Sequence, residues 1–154
     1  MPRSRALLSN DEKAVYEWQL SIPGFGEAAQ EKLKAASVLV TRIGGVGGAA
    51  ALYLAAAGVG KLILAHHGKI RAGDLNRQTL MTAAGVGKKR VESAATRLRE
   101  LNPRVELLTV PSNADPSNVA RLVGEADLVV DAAPLFVERF ALNREIVKRR
   151  KPMV

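Results

Sequence analysis

The chain has 154 residues, enough for one domain with a real hydrophobic core, and 47% hydrophobic content excludes a disordered protein. It has no cysteine, which excludes disulfides, thiolate metal sites and thioester catalysis. A formal net charge of +8 favours an acidic protein partner or a nucleotide, and an aromatic content of 4% leaves no stacking platform for single-stranded nucleic acid.

In chain order, residues 1–8 read as a basic lead with no apolar secretory segment behind the arginines, so the cytoplasm is the expected address. Ser9-Asn10-Asp11-Glu12 fits a capping box and predicts a short helix to about residue 20. Residues 22–26 (IPGFG) break it, and a second helix over 27–35 leads to a first strand at 37–41. A glycine-rich turn (Gly44, Gly45, Gly47, Gly48) opens a helix over 47–57, whose small residues let it lie close on a sheet. Gly58 stops that helix, and the whole stretch 44–60 is too weakly hydrophobic to span a membrane. A second strand follows at 61–66 and a turn at 83–87. The next helix, over 88–101, carries Val91, Ala94, Ala95, Leu98 and Leu101 on one face and ends at Asn102-Pro103.

A third strand covers 105–110, and Asp115-Pro116-Ser117 starts a short helix to 123. The run DLVVDA at 127–132 is a fourth strand. Residues 135–150 form a helix with Phe136, Phe140 and Val147 on one face and a basic end suited to the helix dipole. Residues 151–154 look like the entry to a fifth strand, which leaves a sheet edge for something else to cover. The alternation gives an α/β, Rossmann-like three-layer fold with a mostly parallel sheet. A single domain is expected over 1–154, with N-terminal helices at 1–36 and a nucleotide-binding-type core at 37–154.

The chemistry concentrates in residues 36–77. Strand, glycine turn, helix and strand make the nucleotide-binding half of such a fold. Glycine lets the backbone turn tightly and approach a phosphate, while the helix behind it aims its first N–H groups at the anion. His66 and His67 are adjacent at a strand end and point to opposite faces, so they do not share a metal, and no metal site is expected. A basic residue at that strand end, with Lys69 and Arg71 nearby, would also suit the 2′-phosphate of NADP.

Six segments carry a resemblance in order and spacing: residues 22–26 (IPGFG), 30–33 (QEKL), 44–47 (GGVG), 53–60 (YLAAAGVG), 75–80 (LNRQTL) and 98–103 (LRELNP). The chain resembles the ThiF/MoeB/HesA family, the bacterial relatives of ubiquitin-activating E1 enzymes, over roughly residues 10–154. The resemblance implies a short form of the E1-like fold. It also implies a reaction in which the C-terminal carboxylate of a ubiquitin-like sulfur carrier attacks the α-phosphate of ATP, giving an acyl-adenylate and pyrophosphate. Gly44, Gly45 and Gly47 would cradle the nucleotide, and Asn76, Arg77, Gln78 and Arg90 would face its phosphates. The family works as dimers, so a homodimer or a heterodimer with an E1-like homologue is expected. The basic surface would suit an acidic carrier.

Against that pattern several positions depart. The first fingerprint glycine is Arg42, which would strain the turn or swing into the phosphate pocket. The acidic residue for the ribose hydroxyls is His66, and a second family aspartate is Gly68. The lysine before the third helix is Arg90, and the arginine that reaches into the neighbouring subunit is Trp18, a residue suited to packing or an interface. The metal-binding aspartate after the fourth strand is Pro134, with Leu135 beside it, while Asp131 remains a few residues earlier. Three readings follow. The first is a pseudoenzyme that serves as a dimerisation or carrier-binding partner. The second is an adenylyltransferase using ATP and Mg²⁺, with Arg77, Arg90 and Asp131 as catalytic candidates. The third is an NADP-linked protein.

Overall fold

The computed structural model describes residues 7–154, so most of the basic lead lies outside the described residues. The capping box at Ser9 forms: its hydroxyl accepts from the Glu12 N–H, and the Glu12 carboxylate accepts from the Ser9 N–H. The predicted first helix is broken in two, α1 (Asn10–Val15) and α2 (Glu17–Leu20), at Tyr16. The break sends the Tyr16 ring into the core, where its hydroxyl meets Asn102. Helix α3 (Gly26–Ala35) then leads into strand β1 (Ser37–Thr41).

After β1 come α4 (Gly45–Ala56), β2 (Lys61–Ala65), α5 (Arg90–Leu101), β3 (Glu106–Val110), α6 (Val119–Glu125), β4 (Leu128–Asp131) and α7 (Phe136–Arg149). Short 3-10 turns lie at Ala72–Asp74 and Ala83–Gly85. The strands pair in the order β3-β2-β1-β4, all parallel. Beyond β4 the chain's last residues lie alongside it. Met153 pairs with Val129, and Asp131 N–H donates to the Val154 carbonyl at 2.8 Å. The expected entry to a fifth strand is therefore present.

Because successive side chains on a strand point to opposite faces, β1 and β2 feed two cores. Val38, Val40, Leu62 and Leu64 pack with α4 and α5 on one face. Leu39, Ile63 and Val129 pack with α6 and α7 on the other. Each such side chain, once fully buried, contributes about 1.5–3 kcal/mol. Burial on both faces also explains the unbroken apolar runs in these strands.

Helix α4 is tied down at both ends. Gly47 sits so close to β1 that a Cβ there would lie 2.6 Å from the Arg42 carbonyl and 2.9 Å from that of Thr41. At the other end, the Ala55 carbonyl accepts from Asn102 Nδ2, and the Ala57 carbonyl accepts from the Gln19 and Gln30 amides. Gly58 then turns the chain at φ 86°, a conformation that only glycine adopts without strain.

Several expectations need correction. Helix α4 begins at Gly45, two residues early, because its first turn needs no side chains. Helix α6 begins at Val119 and not at Asp115, because the Asp115 carboxylate accepts from the Ser117 N–H and holds a turn ahead of the helix. Leu101 is half-exposed at the end of α5. On α7 the inward face is Glu138, Ala141, Leu142 and Ile146, while Phe136, Phe140 and Val147 are exposed. Trp18 is 86% exposed, so it is not part of the core formed by the described residues. No helix among the described residues is long and apolar enough to cross a membrane.

Candidate functional site

A cavity of about 330 Å³ opens at the carboxyl ends of β1 and β4, where ligands bind in open parallel sheets. It is lined by Arg42, Gly44, Gly45, Val46, His66, Arg77, Gln78, Ala132 and Pro134. A larger hollow of about 520 Å³ is lined mainly by α5 and the turn before it, with none of the glycine turn, and in it Lys89 pairs with Glu92 and Arg97 with Glu100. The smaller cavity is therefore the candidate site.

The floor of the site is the start of α4. Gly44 precedes the helix and offers no side-chain cap, and no acidic residue stands in the first turn. The first N–H groups of a helix have no partner within it, so they are left for a ligand and carry the positive end of the helix dipole. Gly44 and Gly45 line the cavity; Gly47 lies beneath, where its lack of a side chain seats the helix on β1.

Arg42 takes a left-handed backbone at φ 55°, the conformation that a glycine would adopt there freely. Its side chain does not fill the phosphate position. Nε donates to Glu138 Oε2 at 2.9 Å and Nη2 donates to Glu138 Oε1, forming a fork on a carboxylate buried in α7. The pair links the glycine turn to α7, a coupling that no sequence signal announced beyond the arginine itself.

Arg77, also in the lining, makes no ion pair among the described residues; Nη1 donates to the Gly73 carbonyl at 2.8 Å and to Asn76 Oδ1 at 3.0 Å. Gln78 is buried, with its amide donating to Asp74 Oδ1 and its Oε1 left without a partner. Asn76 is exposed and reaches the cavity only through Arg77. Arg90 is drawn away: Nη2 donates to Asp74 Oδ2 at 2.7 Å and Nη1 to the His67 carbonyl at 3.2 Å. Burial alone would raise the Asp74 carboxyl, but the Arg71 N–H and the Arg90 and Arg77 guanidiniums together hold it below the usual carboxylate range.

His66 lines the cavity while His67 is exposed, as adjacent strand-end positions require. Burial and then the charges of Arg90 and Arg42 push the His66 imidazole down to about 4, so it is neutral at physiological pH. It therefore adds no charge of its own for a 2′-phosphate, and Lys69 and Arg71 do not line the cavity. Nδ1 of His66 is buried without a partner, like Oε1 of Gln78. Buried polar atoms without a partner are costly, and both of these belong to residues that line the cavity.

The phosphate end of a nucleotide fits these residues. A divalent cation does not. No carboxylate lines the cavity, and no group of three or more metal-ligating residues exists among the described residues. Asp131 is spent on structure: Oδ1 accepts from the Thr41 hydroxyl at 3.1 Å and from the Ala133 N–H at 2.9 Å, with Arg139 near Oδ2. Pro134 occupies the rim instead.

Comparison with known proteins agrees with this geometry. The chain is 50% identical over 147 residues to the protein HesA, vegetative, of Trichormus variabilis, covering 96% of this chain and 56% of HesA. It is 38% identical over 149 residues to the adenylyltransferase and sulfurtransferase MOCS3 of Drosophila virilis, covering 97% of this chain and 33% of MOCS3. The chain thus spans about half the length of the HesA relatives that it matches and less of MOCS3. Its fold superposes on the E. coli tRNA N6-threonylcarbamoyladenosine dehydratase TcdA, in complex with ATP, with a TM-score of 0.89 and 27% identity, covering 96% of this chain and 60% of TcdA. The ThiF family pattern matches residues 16–154, nearly the whole chain, and the chain belongs to the ThiF family.

Proposed function

We propose that this chain holds a nucleotide at the head of α4 without adenylating a carboxylate, and acts as a partner subunit. That role is a homodimer, or a heterodimer with an E1-like homologue, offering its basic surface to an acidic ubiquitin-like sulfur carrier. The observation that carries the reading is the lining of the cavity: guanidiniums, glycines and neutral polar groups, with no carboxylate. Stabilising a departing pyrophosphate requires charge placed where it develops, commonly by a carboxylate-held metal ion. Here the nearby carboxylates Asp74, Asp131 and Glu138 are all engaged elsewhere in the chain. The exposed apolar side chains Phe136, Val137, Phe140 and Val147 on α7 support a partner-binding role, since such residues mark interaction surfaces when they cluster.

The test is ATP–pyrophosphate exchange by the purified chain with Mg²⁺, in the presence of ubiquitin-like sulfur carriers that end in a free carboxylate. The reading predicts exchange at background. Exchange well above background would establish the second reading, an ATP-dependent adenylyltransferase, to which the likeness to MOCS3 lends its support.

A further inference from the structure

We infer that the cavity at the head of α4 binds the phosphates of a nucleotide without a divalent cation, with Arg42 serving as a phosphate ligand that Glu138 holds in place. The inference rests on the nucleotide-holding reading above and specifies the form of the ligand. Four observations converge on it.

The first is the donor set. A Mg²⁺ ion bound with a nucleotide is usually anchored by one or two carboxylates, and this cavity offers none. The second is the orientation of Arg42. Arg42 lines the cavity, and Glu138 takes up its Nε and Nη2, which leaves the two N–H donors of Nη1 without a hydrogen bond among the described residues. A guanidinium is planar, so fixing one edge fixes the other. The third is Arg77, which also lines the cavity and whose guanidinium is hydrogen-bonded to a carbonyl and an amide oxygen rather than to a carboxylate. Together with the uncapped start of α4, these two arginines can neutralise phosphate oxygens in the way a cation otherwise would.

The fourth observation shows that the cavity is built for a polar guest. His66 and Gln78, both more than nine-tenths buried, line it, and each has one polar atom, Nδ1 and Oε1, buried without a partner. Since His66 is neutral, it leaves the anionic part of the ligand to the arginines.

The experiment is calorimetric titration of the full chain with ATP in excess EDTA and again in excess Mg²⁺. We expect the two dissociation constants to agree within about threefold. A loss of tenfold or more in EDTA would overturn the metal-free inference while leaving the nucleotide-holding reading intact. No binding in either condition would overturn both. The role of Arg42 is tested in the paired variant Arg42→Gly with Glu138→Gln, which leaves no lone buried charge and gives the turn its permissive residue. Affinity for ATP in EDTA should then fall about tenfold or more, as expected for losing a charge-assisted hydrogen bond. Unchanged affinity, with a normal unfolding transition, would show that the pair is only a structural link.

Discussion

At the residue scale, the position that matters most is Arg42. Placing an arginine at φ 55° costs about 1 kcal/mol or more of backbone strain, and it persists because Glu138 receives the guanidinium in a buried fork. Neither residue is tolerable without the other. Arg42→Ala leaves the Glu138 carboxylate buried and alone, and is expected to cost about 3–5 kcal/mol in urea denaturation. Combining Arg42→Gly with Glu138→Gln should recover most of that loss, and strict additivity of the single effects would contradict the coupling. His66 makes a second prediction. Its folded-state pKa of about 4 lies below the ordinary 6.5, so between those values the unfolded chain takes up a proton that the folded chain refuses. Stability supplied at neutral pH is therefore lost as the pH falls from about 6.5 toward 4. In His66→Gln that slope should vanish, and a constant stability difference between wild type and variant from pH 7 to pH 5 would rule out a buried neutral imidazole.

At the element scale, α7 is where sequence and structure part. A helical stripe of Phe136, Phe140 and Val147 is the more hydrophobic one, yet the sheet takes the stripe of Glu138, Ala141, Leu142 and Ile146. The helix is turned that way because Glu138 must reach Arg42, and because the small Ala141 lets α7 approach the sheet face shared with α6. Leu142→Ala should consequently cost about 2–5 kcal/mol, whereas Phe140→Ser should change stability by about 0.5 kcal/mol or less. Equal losses at both positions would mean that α7 sits with its phenylalanines inward.

The strands and α4 were legible because their signals are local: apolar runs, a glycine turn and a terminating Gly58. The site was legible only in part. Gly44, Gly45, Arg77 and Gln78 do meet at one cavity, and the sequence already marked them as a set. Arg90 and Asp131 look free in the sequence, but their charge is in use, on Asp74 and on Thr41 with Ala133. Pairings between residues 16 or more positions apart cannot be read from spacing along one element. The partner of Arg42 lies 96 residues away, beyond any local pattern.

At the scale of the molecule, the chain is a four-stranded parallel sheet with helices on both faces, and its last residues begin a fifth position beside β4. The scaffold of the ThiF family is kept, and three of the positions that depart from its pattern, Arg42, His66 and Pro134, line one cavity. The central claim is that this rim still holds a nucleotide. Amide chemical-shift mapping of the isotopically labelled chain during titration with ATP tests it most directly. The account predicts saturable shifts concentrated at Gly44, Gly45, Val46, Arg77 and Gln78, with little change in the hollow beside α5. Shifts centred on Lys88 and Ser93 in that hollow, or none at millimolar ATP, would contradict it.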